Sequence, residues 1–130
     1  MHGGHLKIWL IAIVVALLQS AAPKKGGNPE AAKVKNPVAE SAESISAGKR
    51  VYTRMCARCH GSEGKGDGTA ASAAVPDLTD DKWDYGGTDG EIFAVVHDGV
   101  SADMDGYASR LSDTDIWNVV NFVRSVAAKR

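Results

Sequence analysis

Apolar residues recur at helical spacing in three stretches of the chain between residues 44 and 126. In the first stretch the spacing i, i+3, i+4, i+7 is occupied by Gly48, Val51, Tyr52 and Met55. This pattern predicts a helix that runs from Ser44, taken as the N-cap, to Met55 with one buried stripe.

The other two stretches carry helix-start residues ahead of their apolar positions. Thr88 and Glu91 have the spacing of a capping box, and Gly99 supplies the stop of that helix. The last helix is predicted to begin at Ser112, with Asp115 in the partner position, and to end at Val126. No stretch alternates apolar and polar residues convincingly, so the domain is predicted to be all-α.

The N-terminal part of the chain has a different pattern. Residues 8–18, IWLIAIVVALL, form an uninterrupted apolar run that follows Lys7. The run has the length of a signal-peptide core and is shorter than the roughly 20 residues of a comfortable transmembrane helix. Residues 1–22 are therefore predicted to be a signal peptide or an uncleaved membrane anchor, and Pro23 after the small residues leaves both interpretations open. Either one places the following domain on the periplasmic side of the cytoplasmic membrane.

Residues 23–43 separate that segment from the predicted helices. They contain three Pro, two Gly and four Lys and almost no large apolar side chain. With no core to offset chain entropy, this stretch is predicted to be a flexible linker. The folded domain is then residues 44–130.

Composition narrows the range of functions. The formal net charge is -1 and the sequence pI is about 6.4. The chain therefore lacks the excess of positive charge that binds a nucleic acid backbone. The domain is rich in Ala and Gly, which predicts a thin core, and small domains of this kind usually recruit a cofactor, metal or disulfide. A disulfide between Cys56 and Cys59, the two cysteines of the chain, would close only a tiny loop.

The candidate chemistry lies in residues 56–60, CARCH. This C-x-x-C-H motif is the attachment signal of haem c. Two thiols three residues apart at a helix end can each bond one vinyl group of the same porphyrin edge, and His60 then falls under the iron as its proximal ligand. The sequence therefore predicts one covalently attached haem c, held by Cys56, Cys59 and His60.

Rival interpretations of the motif fit less well. A thioredoxin-like CxxC needs a preceding strand and a parallel sheet, and neither is predicted. A zinc site needs about four ligands, and beyond the motif this domain offers only His97. The glycines of GSEGKGDG, residues 61–68, lack the order of a phosphate-binding loop, so we expect that loop to wrap around something instead.

Residues 44–126 together resemble a class I c-type cytochrome. The resemblance rests on CHG, the Gly-rich loop, PDLTD, TDGEI, HDGV, M-x-G-Y and LSDTDIW, and is strongest toward short monohaem domains of bacterial respiratory chains. It implies an all-α fold of three main helices around one haem. It also implies that Gly48 and Tyr52 on the first helix cross Val119 and Phe122 on the last one.

The resemblance extends to the surroundings of the haem. It implies that Met104, on the loop before the last helix, is the sixth ligand of the iron, with His97 as the competing candidate. It further implies that the Pro76 carbonyl accepts the His60 ring N–H. Side chains that could reach the haem propionates are Trp83 and, less clearly, Tyr85, Lys82 and Arg110.

The function expected from these observations is one-electron transfer without enzymatic catalysis, between membrane or periplasmic redox proteins. The expected partners are a terminal oxidase, a quinol-oxidising complex or a reaction centre. Residues 61–115 carry 13 acidic against three basic side chains, which bears on the choice of partner. Two alternatives stay open: a haem subunit that acts as a fixed relay in a larger membrane complex, and a five-coordinate gas-binding or peroxidatic haem protein.

Overall fold

The computed structural model of the chain describes residues 21–72 and 75–127. Within these ranges the helices are α1 (Pro29–Ala32), α2 (Ala42–Met55), α3 (Ala57–His60), α4 (Asp89–Asp98) and α5 (Asp113–Ala127). Strands β1 (Gly99–Ser101) and β2 (Met104–Asp105) form a small antiparallel hairpin. The apolar run at residues 8–18 lies outside the described residues. Among the residues that the structure describes, no helix is long and apolar enough to cross a bilayer.

Helices α2 and α5 cross at close range, as the resemblance to class I c-type cytochromes implies. A Cβ atom on Gly48 would overlap the Asn118 carbonyl oxygen, so only glycine lets the two backbones approach this closely. One turn later the rings of Tyr52 and Phe122 pack with their centroids 4.9 Å apart. Val119 is 1% exposed beside them. This crossing is the centre of the larger hydrophobic cluster.

The start of α2 differs from the prediction, because its N-cap is Ser41 rather than Ser44. The Ser41 hydroxyl accepts a hydrogen bond from Ser44 N at 3.1 Å, and Ser44 Oγ accepts one from Ser41 N at 3.0 Å. Ser44 thus takes the third helical position of a reciprocal capping box, where Glu or Gln is more usual. The capping box of Thr88 and Glu91 on α4 is confirmed.

The region between α4 and α5 is predicted as a loop and contains the two short strands. Gly99 ends α4 with a φ of 75°, a left-handed conformation that favours glycine. The chain then turns back, so that the Met104 strand lies beside the strand that follows Gly99. These few extended residues leave the domain all-α in character.

The prediction of a flexible linker over residues 23–43 is wrong for residues 26–40, which we call the strap. The strap contains α1, whose Ala31 is 1% exposed against the domain. Its Gly26 N–H donates to the Asp84 carbonyl at 2.7 Å, and the Asn36 amide donates to Asn121 Oδ1 at 2.8 Å. Small buried side chains and polar contacts hold this segment, so it carries no apolar stripe for a sequence pattern to detect.

Candidate functional site

The CARCH motif lies at the junction of α2 and α3. Cys56 ends α2 and begins α3. Its carbonyl accepts hydrogen bonds from Cys59 N at 3.1 Å and His60 N at 2.9 Å. One tight helical turn therefore carries both thiols and the imidazole.

The two thiols are free and suited to attachment rather than to redox exchange. No disulfide joins Cys56 and Cys59, and both are half-buried. Burial, with a smaller effect of Cys59, raises the pKa of the Cys56 thiol to about 11. A thiol that stays protonated at neutral pH is a poor thioredoxin-type nucleophile. The geometry thus argues against thiol redox chemistry.

The surroundings of His60 favour the neutral imidazole, the form that binds a metal. Burial lowers the pKa of its imidazole below the ordinary value, while the Pro76 carbonyl acts in the opposite direction. His60 Nδ1 is buried. Among the described residues, no atom forms a hydrogen bond of good geometry with it. The Pro76 carbonyl nevertheless lies close enough to raise the pKa of the ring. A metal-bound histidine typically donates its other N–H to such a carbonyl.

The glycine-rich loop wraps back over the end of α3. Gly66 N donates to the His60 carbonyl at 2.8 Å, and Gly68 N donates to the Cys59 carbonyl at 3.2 Å. A Cβ on Gly68 would overlap the Arg58 carbonyl oxygen. The loop thereby satisfies the free carbonyls of a short helix that carries the motif. Close backbone approach explains its glycines without any phosphate.

Two tyrosine hydroxyls brace the motif from different elements. Tyr52 donates to the Gly61 carbonyl at 2.6 Å, and Tyr107 donates to the Met55 carbonyl at 3.1 Å. Burial raises the pKa of both phenols, and the neighbouring Cys56 raises both further. Tyr107 is a site residue that the sequence reasoning missed. Its position after Met104 in the M-x-G-Y pattern is the feature that could have identified it.

The hairpin places Met104 three residues before Tyr107, at the first position of β2. Met104 is half-buried in β2, and its N–H donates to Ser101 Oγ at 3.3 Å. Arg110 lies 4.1 Å over the ring centroid of Tyr107. Because Tyr107 reaches the carbonyl before Cys56, the loop that carries Met104 is anchored to the motif.

His97 has a different environment. Its Nδ1 lies 2.7 Å from Asp98 Oδ1, and its Nε2 lies 3.7 Å from Asp113 Oδ1. The ring stacks on Phe93 with centroids 5.4 Å apart. Both ring nitrogens thus face carboxylates at the surface.

The remaining predicted site residues are less closely grouped. Trp83 is half-buried and packs against both hydrophobic clusters. Pro76 and Lys82 are exposed, and Tyr85 is half-buried. The structure thus shows a packing role for Trp83, while its role toward a propionate stays a prediction.

The donor set fits haem c better than a bare metal ion. Two free thiols and a neutral imidazole occupy one turn, which matches two thioether bonds and one axial ligand. Across residues 21–72 and 75–127, no group of three or more His, Cys, Asp or Glu side chains could hold a metal ion.

Residues 43–123 match the family described as cytochrome c oxidase, cbb3-type, subunit III. The chain belongs to this family of c-type cytochromes. Family membership makes it a haem-binding electron-transfer component and confirms the resemblance drawn from the sequence.

Relatives in this family are longer than the chain. It is 30% identical over 91 residues to the cbb3-type cytochrome c oxidase subunit CcoP of Rubrivivax gelatinosus, covering 69% of this chain and 28% of that protein. It is 36% identical over 88 residues to subunit FixP of Azorhizobium caulinodans, covering 62% of this chain and 28% of that protein. The chain thus spans less than a third of these curated relatives.

A solved structure supports the fold. Cytochrome cL of Methylophaga aminisulfidivorans superposes with a TM-score of 0.58 at 26% identity, covering 77% of this chain and 61% of that one. The all-α class I cytochrome c fold is therefore confirmed.

Proposed function

We propose that the chain is a one-electron relay in a membrane oxidase complex of the cbb3 type. It would hold one haem c covalently through Cys56 and Cys59. The observation that carries this proposal is that the two thiols and the imidazole of CARCH lie on one helical turn, in a member of this cytochrome family.

Each residue of the motif has a defined task in this function. With haem c bound, the thiols of Cys56 and Cys59 would form thioether bonds to its two vinyl groups, and His60 Nε2 would ligate the iron. The Pro76 carbonyl accepts the Nδ1 proton and thereby fixes the tautomer and the ring plane. Haem c, when bound, supplies an iron that cycles between the ferrous and ferric states.

We assign Met104 as the second axial ligand. Tyr107 anchors its loop to the residue before Cys56, whereas the ring nitrogens of His97 face Asp98 and Asp113. Two axial side chains leave no coordination position for a substrate, which favours electron transfer over catalysis and gas binding. A thioether ligand also favours the reduced iron and gives a higher potential than a second imidazole. Trp83 is kept as a candidate propionate contact.

Two observations favour a fixed relay over a mobile carrier. The CcoP and FixP relatives are both named as oxidase subunits, so the proposed partners are other subunits of such an oxidase. The strap also packs on the domain instead of forming a free tether. With residues 1–22 as an uncleaved anchor, the domain would lie on the periplasmic side, close to the membrane.

Intact mass, a haem-stained denaturing gel and a detergent pull-down test this function. We expect one covalent haem per chain and recovery together with oxidase subunits. The variant Cys56→Ala/Cys59→Ala should lose the stain and fold poorly, because the haem completes a thin core. Exposed Ser62→Ala in the adjacent loop is the matched control. A wild type that folds cooperatively without haem would refute haem binding, and purification of the holoprotein free of other subunits would refute the fixed relay.

A further inference from the structure

The strap is fastened at one end by a carboxylate that also caps a helix. Glu91 is 7% exposed. It accepts hydrogen bonds from Thr88 N at 3.1 Å, from Thr88 Oγ1 at 2.8 Å and from Asn28 N at 2.9 Å. The bond from Thr88 N belongs to the capping box of α4, the bond from Thr88 Oγ1 adds to it, and the third bond comes from the strap. One buried side chain therefore joins the start of α4 to a segment 63 residues earlier in the chain.

A buried amide fastens the other end. Asn121 on α5 is 3% exposed. Its Nδ2 donates to the Val38 carbonyl at 3.2 Å and the Ala39 carbonyl at 3.4 Å, while its Oδ1 accepts from Asn36 Nδ2 at 2.8 Å. The same Asn36 amide donates to the Trp117 carbonyl at 3.3 Å. Buried polar groups of this kind are costly to leave unpaired, so the contact is specific.

Between these two points the strap touches the domain backbone. A Cβ on Gly90 would overlap the Ala31 carbonyl oxygen, so the strap and the first turn of α4 meet without a side chain between them. At the leading end, Gly26 N donates to the Asp84 carbonyl at 2.7 Å. The strap is thus held at its start, middle and end.

We propose that the strap limits the distance between the haem domain and the N-terminal apolar segment. Only seven residues, 19–25, lie between that segment and the first strap contact, whereas undocking the strap would leave 22 residues, 19–40, ahead of the Ser41 N-cap. The maximum reach falls from roughly 75 Å to about 25 Å when the strap docks. The domain then meets only partners beside the same membrane. The membrane part of this inference rests on the proposed function, whereas strap docking does not.

Limited trypsin digestion of the full holoprotein tests strap docking. Cleavage after Lys33, inside the strap, should be slow relative to cleavage after Lys25, which precedes it. Asn36→Ala, and separately Glu91→Gln, should speed cleavage after Lys33 by about tenfold while the haem spectrum stays unchanged. Exposed Lys35→Gln on the strap is the matched control and should leave the rate unchanged. Equal rates after Lys33 and Lys25 in the wild type would overturn docking.

The short reach of the haem domain from the membrane can be tested by fluorescence. The full holoprotein is bound to phosphatidylcholine vesicles that contain a lipid with a dansyl-labelled headgroup, and quenching of the dansyl fluorescence by the haem is measured. The wild type and Lys35→Gln should quench strongly. Asn36→Ala should lose about half of the quenching, because its domain can move several times farther from the surface. Equal quenching in all three proteins would overturn the proposed spacing role. A wild type that does not bind vesicles would overturn the anchor and the spacing role together, while the digestion result would still decide docking.

Discussion

The hydroxyl of Tyr107 donates a 3.1 Å hydrogen bond to the carbonyl of Met55, the residue that precedes Cys56. This contact spans 52 positions of sequence. It joins the segment that follows Met104 to the last residue of α2, directly ahead of α3, which carries His60. The segment that carries Met104 is therefore tied to the junction of α2 and α3, where the CARCH motif lies.

Removing this hydroxyl tests the tie. We expect Tyr107→Phe to lower the free energy of unfolding of the holoprotein by about 1 kcal/mol, the typical value of one hydrogen bond. The measurement is denaturant unfolding followed by haem absorbance. Exposed Ser109→Ala in the same loop should change stability by less than about 0.5 kcal/mol. Equal stability of Tyr107→Phe and wild type would show that the hydroxyl does not hold the loop.

The axial assignment can be tested by a pair of variants. Met104→Ala should open the sixth position, lower the midpoint potential and admit carbon monoxide to the reduced protein. His97→Ala is the comparison and should leave these properties unchanged. Visible absorption spectra and a redox titration of both variants measure these properties. If His97→Ala changes the spectrum and Met104→Ala does not, the assignment is wrong.

The helix crossing makes a prediction about stability. Gly48→Ala should destabilise the protein by about 1–3 kcal/mol, because the added methyl overlaps the Asn118 carbonyl and forces α2 and α5 apart. In a solvent-exposed helix without such a contact, replacing Gly by Ala would instead stabilise the protein by about 1 kcal/mol. Exposed Lys49→Ala is the neighbouring control, with an expected change within about 0.5 kcal/mol. Thermal unfolding measures both, and a stabilised Gly48→Ala would contradict the close crossing.

The family resemblance implied the helix crossing, and periodicity predicted the buried face of α2 that takes part in it. Gly48 and Tyr52 lie one turn apart on α2, so their shared face is visible in the sequence. The N-cap was harder to place, since serines at positions 41, 44 and 46 satisfy the same rule. The structure shows which serine is the N-cap. Ser44 is 6% exposed, and its hydroxyl accepts the hydrogen bond from the N–H of Ser41, which is the N-cap itself.

The strap could not be predicted from local pattern. Its contacts join Asn36 to Asn121 and Asn28 to Glu91, which are 85 and 63 positions apart. Asparagine and proline in a Gly- and Lys-rich segment are typical of linkers. Only the folded domain shows which carbonyls and carboxylates these groups meet. For the same reason the sequence pattern predicts only the capping-box role of Glu91.

Glu91 also gives stability a defined pH dependence. Burial acts to raise the pKa of its carboxyl, but hydrogen bonds from Thr88 and Asn28 outweigh that effect and hold the pKa below its ordinary value. A carboxyl with a depressed pKa stabilises the folded state above its unfolded pKa, about 4.3, and loses that contribution as the pH falls toward the folded value.

The difference in unfolding free energy between wild type and Glu91→Gln should therefore be largest near neutral pH and shrink in acid. Denaturant titrations of both proteins over this pH range measure it. Glu40→Gln, an exposed carboxyl in the strap, should show no such trend. A difference that grows below pH 4 would mean that folding raises the pKa of Glu91 instead of lowering it.

The small number of apolar contacts made by the strap also has a consequence for the order of folding. Its hydrogen bonds join residues 63 to 85 positions apart, and the Tyr52–Phe122 contact of the helix crossing joins residues 70 positions apart, so loop closure costs both about equally. The crossing of α2 and α5 buries most of the apolar side chains, whereas the strap adds few. We expect the strap to dock last during folding and to open first under native conditions, so its amides should exchange with deuterium well before those of α5.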